Sequence, residues 1–159
     1  MYRLGSGWIR GTSVVRGLRQ RAESATLSRA TVDGMTDVRE QGLQIFRELL
    51  SGAVPDDVNL RDGKFGDELF EIGIDNVFGR LWGREGLGRR ERSLVTLGIL
   101  IALRATEELK FHVQIARNNG LTENEIAEVI YHASGYAGFP AANTACRIAR
   151  EVLEADSAT

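Results

Sequence analysis

Cysteine, histidine and proline are scarce in this chain. One cysteine, Cys146, two histidines and two prolines occur among 159 residues. A single cysteine excludes an internal disulfide framework and a Cys-x-x-Cys redox pair. Cys146 lies in an alanine-rich stretch, which favours a small core residue over a nucleophile. The two histidines form no His-Glu-x-x-His motif, so we predict no metal site.

Long apolar runs and a basic body are also missing. The longest mostly apolar run, residues 94–103, has about half of the ~20 residues that a membrane helix needs. The formal net charge is −2, but residues 1–30 hold six arginines and one glutamate, which leaves −7 for the rest. An acidic body argues against nucleic-acid binding as the main function. We therefore expect a cytoplasmic protein that binds neither membrane nor nucleic acid.

The basic segment, residues 1–34, is rich in arginine, serine and glycine. This composition is typical of a transit peptide, but its apolar residues are too scattered for a secretory signal. An upstream start codon or a disordered tail is the simpler interpretation, since Met35 offers a second start. We predict that residues 35–155 form the folded domain.

Apolar residues recur at spacings of three and four along this domain, which is typical of amphipathic helices. Strand alternation is not evident. Gly120 and the Thr-x-x-Glu capping box at Thr122 and Glu125 mark helix ends. We predict an all-α fold, a compact bundle of about six helices. Their approximate ranges are 38–52, 65–82, 89–103, 107–119, 122–138 and 140–155.

The helix predicted over residues 89–103 has no strongly polar face. A helix that is apolar all round must be surrounded by other protein. One subunit of this size would not cover every side, so the pattern predicts a homo-oligomer.

Glu108 and His112 are the first candidates for chemistry. They are four residues apart, so their side chains lie one turn apart on the same helix face. His112 is at the edge of the apolar stripe through Leu109, where half-burial is expected. A carboxylate beside a half-buried imidazole suits general acid–base work, although a surface contact between the two is the default for such a pair.

Five arginines gather where the second helix ends and the apolar helix begins. They are Arg80, Arg84, Arg89, Arg90 and Arg92. Three arginines in a helix's first turn oppose its dipole, so a bound carboxylate or an acidic partner should offset the cost. The alternative is pairing with Glu85, Glu91 or solvent. His132, on the polar side of its helix, is expected to be solvated on spacing alone.

Four segments together resemble the gamma-carboxymuconolactone decarboxylase family in order and spacing. They are WGREGLGRRERSLVTL at 82–97, ELKFH at 108–112, NNGLT at 118–122 and YAGFPAAN at 136–143. The likeness extends over residues 38–154. It implies an alkylhydroperoxidase-like fold, a trimer or hexamer, and no cofactor.

The family reaction removes carbon dioxide from gamma-carboxymuconolactone in the beta-ketoadipate pathway. The resemblance implies that His112 is the proton donor and Glu108 its orienting partner. It implies Arg84 or Arg89 as anchors for a small anionic substrate. It also places Trp82, Tyr136 and His132 in the pocket lining.

Glu85 stands where members of the pathway commonly have proline, and its charge would repel a dianionic substrate. Related proton-transfer chemistry on a small carboxylated lactone or keto acid is therefore also open. Two further alternatives are a non-catalytic oligomeric protein that binds small molecules, and a peroxidase-type reductase. The reductase is disfavoured because its Cys-x-x-Cys would fall near residues 111–114, where this chain has no cysteine.

Overall fold

Six α-helices and one π-helix make up the regular structure of the described residues. The computed structural model describes residues 34, 37–51, 54, 55 and 57–157, and no strand occurs among them. The helices are α1 (37–49), α2 (Glu68–Gly73), the π-helix (Ile74–Trp82), α3 (Arg89–Leu103), α4 (Thr106–Asn118), α5 (Glu123–Ala137) and α6 (Phe139–Ser157). The predicted all-α class is confirmed. The predicted extension, residues 1–34, lies outside the described residues except for Gly34, and the boundary at residue 35 stays a prediction.

Helices α3 to α6 enclose the larger hydrophobic core. Leu97 and Ile101 of α3 meet Val113 of α4, with Ile126 of α5 and Ile148 of α6 completing the cluster. Cys146 is half-buried and packs against this cluster, so it lies at the edge of the core rather than within it. The bundle is held by burial of one apolar face of each helix.

A second, smaller core joins α1 to the π-helix and to α4. The Phe46 ring of α1 lies 4.8 Å from the Phe78 ring, centroid to centroid, at an interplanar angle of 65°. Trp82 and Ile115 belong to the same cluster, and Phe111 packs against it. Because Val113 belongs to the larger core and Ile115 to the smaller one, α4 is the element shared by both.

The predicted helix over 65–82 is helical from Glu68 to Trp82, but its second part is a π-helix and only that part is buried. Helical structure begins at Glu68, and α2 buries none of its residues. From Ile74 to Trp82 the chain is a π-helix, whose buried residues include Ile74, Phe78 and Trp82. Hydrogen bonds in a π-helix run from residue i to i+5, so the turn is wider than in an α-helix. The change of hydrogen-bond register leaves the apolar spacing of three and four residues that the sequence shows.

The predicted helix ends in the second half of the chain are confirmed. Gly120 has φ +86° directly after α4, a conformation that glycine adopts without a Cβ penalty. Thr122 caps α5 by accepting a hydrogen bond from the backbone N–H of Glu125, whose carboxylate accepts from the Thr122 backbone N–H. The turn between α4 and α5 is thereby fixed on both sides.

Helix α3 keeps one apolar stripe exposed. Val95, Ile99 and Leu103, each four residues from the next, are 54%, 52% and 70% exposed. Among the described residues, no helix is long and apolar enough to cross a membrane. The stripe is therefore an apolar surface on a helix whose other side is core.

Candidate functional site

His112 lies on α4 at the junction of the two cores. Leu109, Val113 and Ala116 form the buried face of α4, and His112 is half-buried beside it, as its place at the edge of the stripe predicts. The imidazole and the Trp82 ring are nearly parallel, with centroids 6.3 Å apart and an interplanar angle of 22°. The Phe111 ring meets it edge-on at 5.6 Å. Two aromatic rings thus border the imidazole.

These surroundings disfavour the protonated form of the imidazole. Burial lowers the pKa of His112 below its ordinary value, and the charge of Glu108 opposes this by raising the pKa. Charged groups lose hydration when buried, which disfavours the protonated ring. The Nδ1 atom is buried and has no hydrogen-bond partner among the described residues. This nitrogen therefore keeps a hydrogen-bonding capacity that the described residues do not satisfy.

Glu108 acts on His112 through its charge. Its side chain is exposed in the first turn of α4, and no hydrogen bond joins these two described side chains. A carboxylate one helical turn away stabilises the protonated imidazole by attraction. The predicted orienting contact is thus present as an electrostatic interaction only.

The clustered arginines are largely engaged within the chain. Arg89 forms an ion pair with Glu48 of α1, and this hydrogen bond is the largest cause of the lowered pKa of Glu48. Arg90 pairs with Glu125 and donates to the carbonyl oxygen of Gly120 at 2.6 Å. The acids that offset the arginines come from α1 and α5, rather than from Glu85 or Glu91 as the alternative had it.

Arg84 differs from the other predicted anchor. Its backbone carbonyl accepts a hydrogen bond from Arg92 at 2.8 Å, while its side chain is exposed. Because Arg84 follows Trp82 by two residues, their Cα atoms lie within about 7 Å of each other. Arg89 has a carboxylate partner in Glu48, whereas the side chain of Arg84 is exposed.

Sequence reasoning missed the role of the two asparagines before Gly120. Asn118 donates from Nδ2 to the carbonyl oxygen of Leu49 at 2.7 Å, which ties α4 to the end of α1. Asn119 donates to Oγ of Ser93 at 2.9 Å, and Ser93 is fully buried in α3. The Asn-Asn-Gly segment was visible as a motif, but its partners were not. These bonds hold α1 and α3 against the helix that carries His112.

His132 and Tyr136 lie elsewhere. Both are exposed side chains of α5, with ring centroids 5.0 Å apart. They line a groove of about 790 Å³ between α3 and α5, together with apolar residues such as Val95 and Val129. Neither His112 nor Trp82 lines this groove. Within one subunit, the predicted pocket residues therefore belong to two separate places.

Two other features bear on the alternatives of a thiol reductase and a metal enzyme. Cys146 lines a smaller groove of about 360 Å³ between α5 and α6. Glu108 and His112 do not line this groove, so the thiol is apart from the candidate site. Within the described part of the chain, no group of three or more His, Cys, Asp and Glu side chains is arranged to hold a metal ion.

Comparisons with known proteins point to one family. Residues 68–151 match the carboxymuconolactone decarboxylase family. The chain is similar to 4-carboxymuconolactone decarboxylase of Acinetobacter baylyi, with 47% identity over 78 residues, which are 49% of this chain and 58% of that protein. It is also similar to nitrosuccinic acid decarboxylase of Metarhizium robertsii, with 32% identity over 114 residues, which are 72% of this chain and 80% of that protein.

The match with the Acinetobacter protein thus extends over less than two thirds of that relative's length, whereas the match with the Metarhizium protein is more extensive. The family match includes α2, the π-helix and α3 to α5, and so contains Trp82, Arg84, Glu108 and His112. The chain belongs to the carboxymuconolactone decarboxylase family.

Proposed function

We propose that this protein is a decarboxylase of a small carboxylic acid, with His112 as the proton donor and no cofactor in the reaction. One observation carries the proposal: a half-buried imidazole lies between two aromatic rings, with a buried nitrogen that has no partner among the described residues. The two relatives, whose names describe acid decarboxylases, support the reaction type.

The reaction requires one proton and an electron-accepting substrate. The bond between carbon and carboxylate breaks, its electron pair stays on the substrate carbon, and carbon dioxide leaves. The protonated imidazole then gives its proton to that carbon and becomes neutral. The pair must spread into an adjacent electron-withdrawing group, which an unsaturated lactone or a nitro group provides. We therefore propose acids that carry such a group next to the departing carboxylate.

The lowered pKa of His112 fits this sequence of events. In the free protein the imidazole is neutral, because burial disfavours its charged form. An anionic substrate beside the ring raises the pKa by attraction, so substrate binding itself loads the proton donor. Glu108 adds to the same effect. Apolar surroundings favour loss of a carboxylate charge as well, since the transition state spreads that charge.

Arg84 is the proposed anchor for the carboxylate that stays on the substrate. Its exposed guanidinium starts two residues after Trp82, whereas Arg89 is paired with Glu48. Planar guanidinium groups bind carboxylates through two parallel hydrogen bonds. Arg84→Lys should therefore raise KM more than it lowers kcat, and Arg89→Lys should affect stability more than either constant.

We also propose that the protein acts as a homo-oligomer, a trimer or a hexamer. The exposed stripe of Val95, Ile99 and Leu103 borders the apolar groove between α3 and α5. Apolar surfaces of this kind mark association sites. Tyr136, 84% exposed in the same groove, would be covered by a second copy.

Carbon dioxide release from a panel of acids tests the proposal. The panel contains carboxymuconolactone, nitrosuccinic acid and simple beta-keto acids, each assayed with wild type and with the His112→Gln variant. We expect release from at least one acid and a loss of about 100-fold or more in kcat for the variant, the range that general acid catalysis contributes. Glu107→Gln serves as a control for substitution in α4. Glu107 is an exposed acid in the first turn of that helix, and it pairs with Lys110.

Two outcomes would contradict the proposal. Turnover by a correctly folded His112→Gln variant at the wild-type rate would remove the proton donor. Tight binding of the acids without any turnover would favour a small-molecule-binding protein on the same scaffold.

A further inference from the structure

The π-helix ends on a residue whose ring lies beside the imidazole. Trp82 is its last residue and is 7% exposed, and its ring is nearly parallel to the His112 ring, with centroids 6.3 Å apart. Trp82 and His112 are 30 positions apart in the chain, so this arrangement depends on how the π-helix packs. A large apolar ring beside an imidazole leaves less room for the water that would solvate its charged form.

The backbone of the π-helix is fixed at a close contact with α1. A Cβ atom on Gly42 would lie 2.4 Å from the carbonyl oxygen of Ile74 and 3.1 Å from the backbone N of Gly79. Only a residue without a side chain allows two helices to approach this closely. The contact involves Ile74, the first residue of the π-helix, and Gly79 in its middle. Trp82 follows three residues after Gly79.

The wider turn itself affects where Trp82 lies. The backbone N–H of Gly83 donates to the carbonyl oxygen of Phe78 at 3.1 Å, an i to i+5 bond that continues the π pattern to its end. Ile74, Phe78 and Trp82 are buried along this helix, and Phe78 is directed at Phe46 rather than at His112. π-Helical turns are rare and occur frequently at functional sites. Here the π-helix supplies one ring to the core and the next to the imidazole.

We infer that Trp82 is a positioning residue for His112: held by the π-helix, its ring packs beside the imidazole and limits the access of water to it. This role rests on the proposed function of His112 as proton donor. It assigns Trp82 to the imidazole, whereas the resemblance implied that Trp82 lines the substrate pocket. Among the described residues, Glu108 is the one charge that shifts the pKa of the imidazole, and the rings of Trp82 and Phe111 lie beside it.

The titration of His112 by NMR tests the inference without any substrate. The chain has two histidines, so the His112 signal is assigned by its loss in His112→Gln. We expect the pKa of His112 to rise from wild type to Trp82→Phe and to rise further in Trp82→Leu, because each replacement covers less of the ring. If Trp82→Leu does not fold, wild type and Trp82→Phe alone decide the order.

Phe78→Leu is the matched control. Phe78 is a buried ring of the same π-helix and the same core, so its loss costs comparable stability, but it does not face His112. We expect the pKa of His112 to stay at its wild-type value in this variant. An unchanged pKa in folded Trp82 variants, or an equal rise in Phe78→Leu, would overturn the inference.

The two proposals can fail separately. Absence of carbon dioxide release by wild type would remove the proposed function. The order of the His112 pKa values in wild type, Trp82→Phe and Trp82→Leu, measured by NMR, would still decide the role of Trp82. In an active protein, kcat/KM depends on the free-enzyme pKa values, so its pH profile should move to higher pH in Trp82→Leu and stay in place in Phe78→Leu.

Discussion

Replacing Gly42 by alanine should destabilise the protein even though alanine favours helices. In an unobstructed helix, glycine to alanine gains about 1 kcal/mol. At Gly42 the new methyl group would lie 2.4 Å from the carbonyl oxygen of Ile74 and 3.0 Å from Cγ2 of the same residue. A backbone oxygen cannot rotate away as a side chain can, so α1 and the π-helix must separate.

The magnitude follows from two opposing effects. Overpacking of a close contact costs about 1–3 kcal/mol, and a clash with backbone belongs at the upper end of that range. Subtracting the gain of about 1 kcal/mol in helix propensity leaves a loss of about 2 kcal/mol. Gly135 of α5 is the matched control, because a Cβ atom there meets nothing within 4 Å, so Gly135→Ala should gain stability.

Urea unfolding of the three proteins at one protein concentration measures the difference. With a slope of about 1–3 kcal/mol per molar urea, the midpoint of Gly42→Ala should fall by about 1 M. Because association contributes to apparent stability, the concentration must be the same throughout. A midpoint that rises in Gly42→Ala as it does in Gly135→Ala would refute the close contact between α1 and the π-helix.

Three further predictions follow from the site and the apolar stripe. First, because His112 has a lowered pKa in the folded state, the unfolded state binds more protons below the ordinary histidine pKa of about 6.5. Stability should therefore fall as the pH drops through that value, by at most about 1.4 kcal/mol per pH unit. Urea unfolding between pH 7.5 and 5.5 should show a smaller pH dependence of stability in His112→Gln, and an equal dependence would contradict the burial of the ring. Second, Glu108→Gln removes the attraction that raises the pKa of His112, so NMR titration should show a still lower pKa, with Glu107→Gln unchanged; a rise would mean that Glu108 acts otherwise. Third, Ile99→Lys in the exposed α3 stripe should lower the mass of the assembly measured by light scattering. Tyr131→Lys changes an exposed ring of α5 outside that stripe and should leave the mass unchanged. An unchanged mass in Ile99→Lys would exclude the stripe from the interface between subunits.

The sequence was sufficient for the helices whose ends carry their own signals. The bounds of α3 and the capping box of α5 were predicted nearly to the residue, because a run of apolar residues and a Thr-x-x-Glu motif act locally. The half-burial of His112 followed from its angle to Leu109 on one helix. Local spacing is enough wherever neighbouring turns determine the structure.

Features that depend on distant partners could not be predicted in the same way. The switch from α2 to the π-helix changes the hydrogen-bond register without changing the apolar spacing that the prediction used. Glu48 lies 41 positions from Arg89, and nothing in either segment identifies the other. Trp82 and His112 belong to two segments that the sequence analysis recognised separately. Nothing in either segment predicts that the two rings lie beside each other.

The position of α4 between the two cores explains which part of the site is rigid. Val113 is fixed in the larger core and Ile115 in the smaller one, so the backbone at His112 is held from both sides. The neighbouring π-helix and the loop that follows it are separate from α4, and there Trp82 is buried but Arg84 and Glu85 are exposed. With His112 as the proposed proton donor, this exposed loop can vary without moving the imidazole. We therefore expect that substitutions at Arg84 and Glu85 alter which acid is accepted, whereas substitutions in α4 alter whether any acid is turned over.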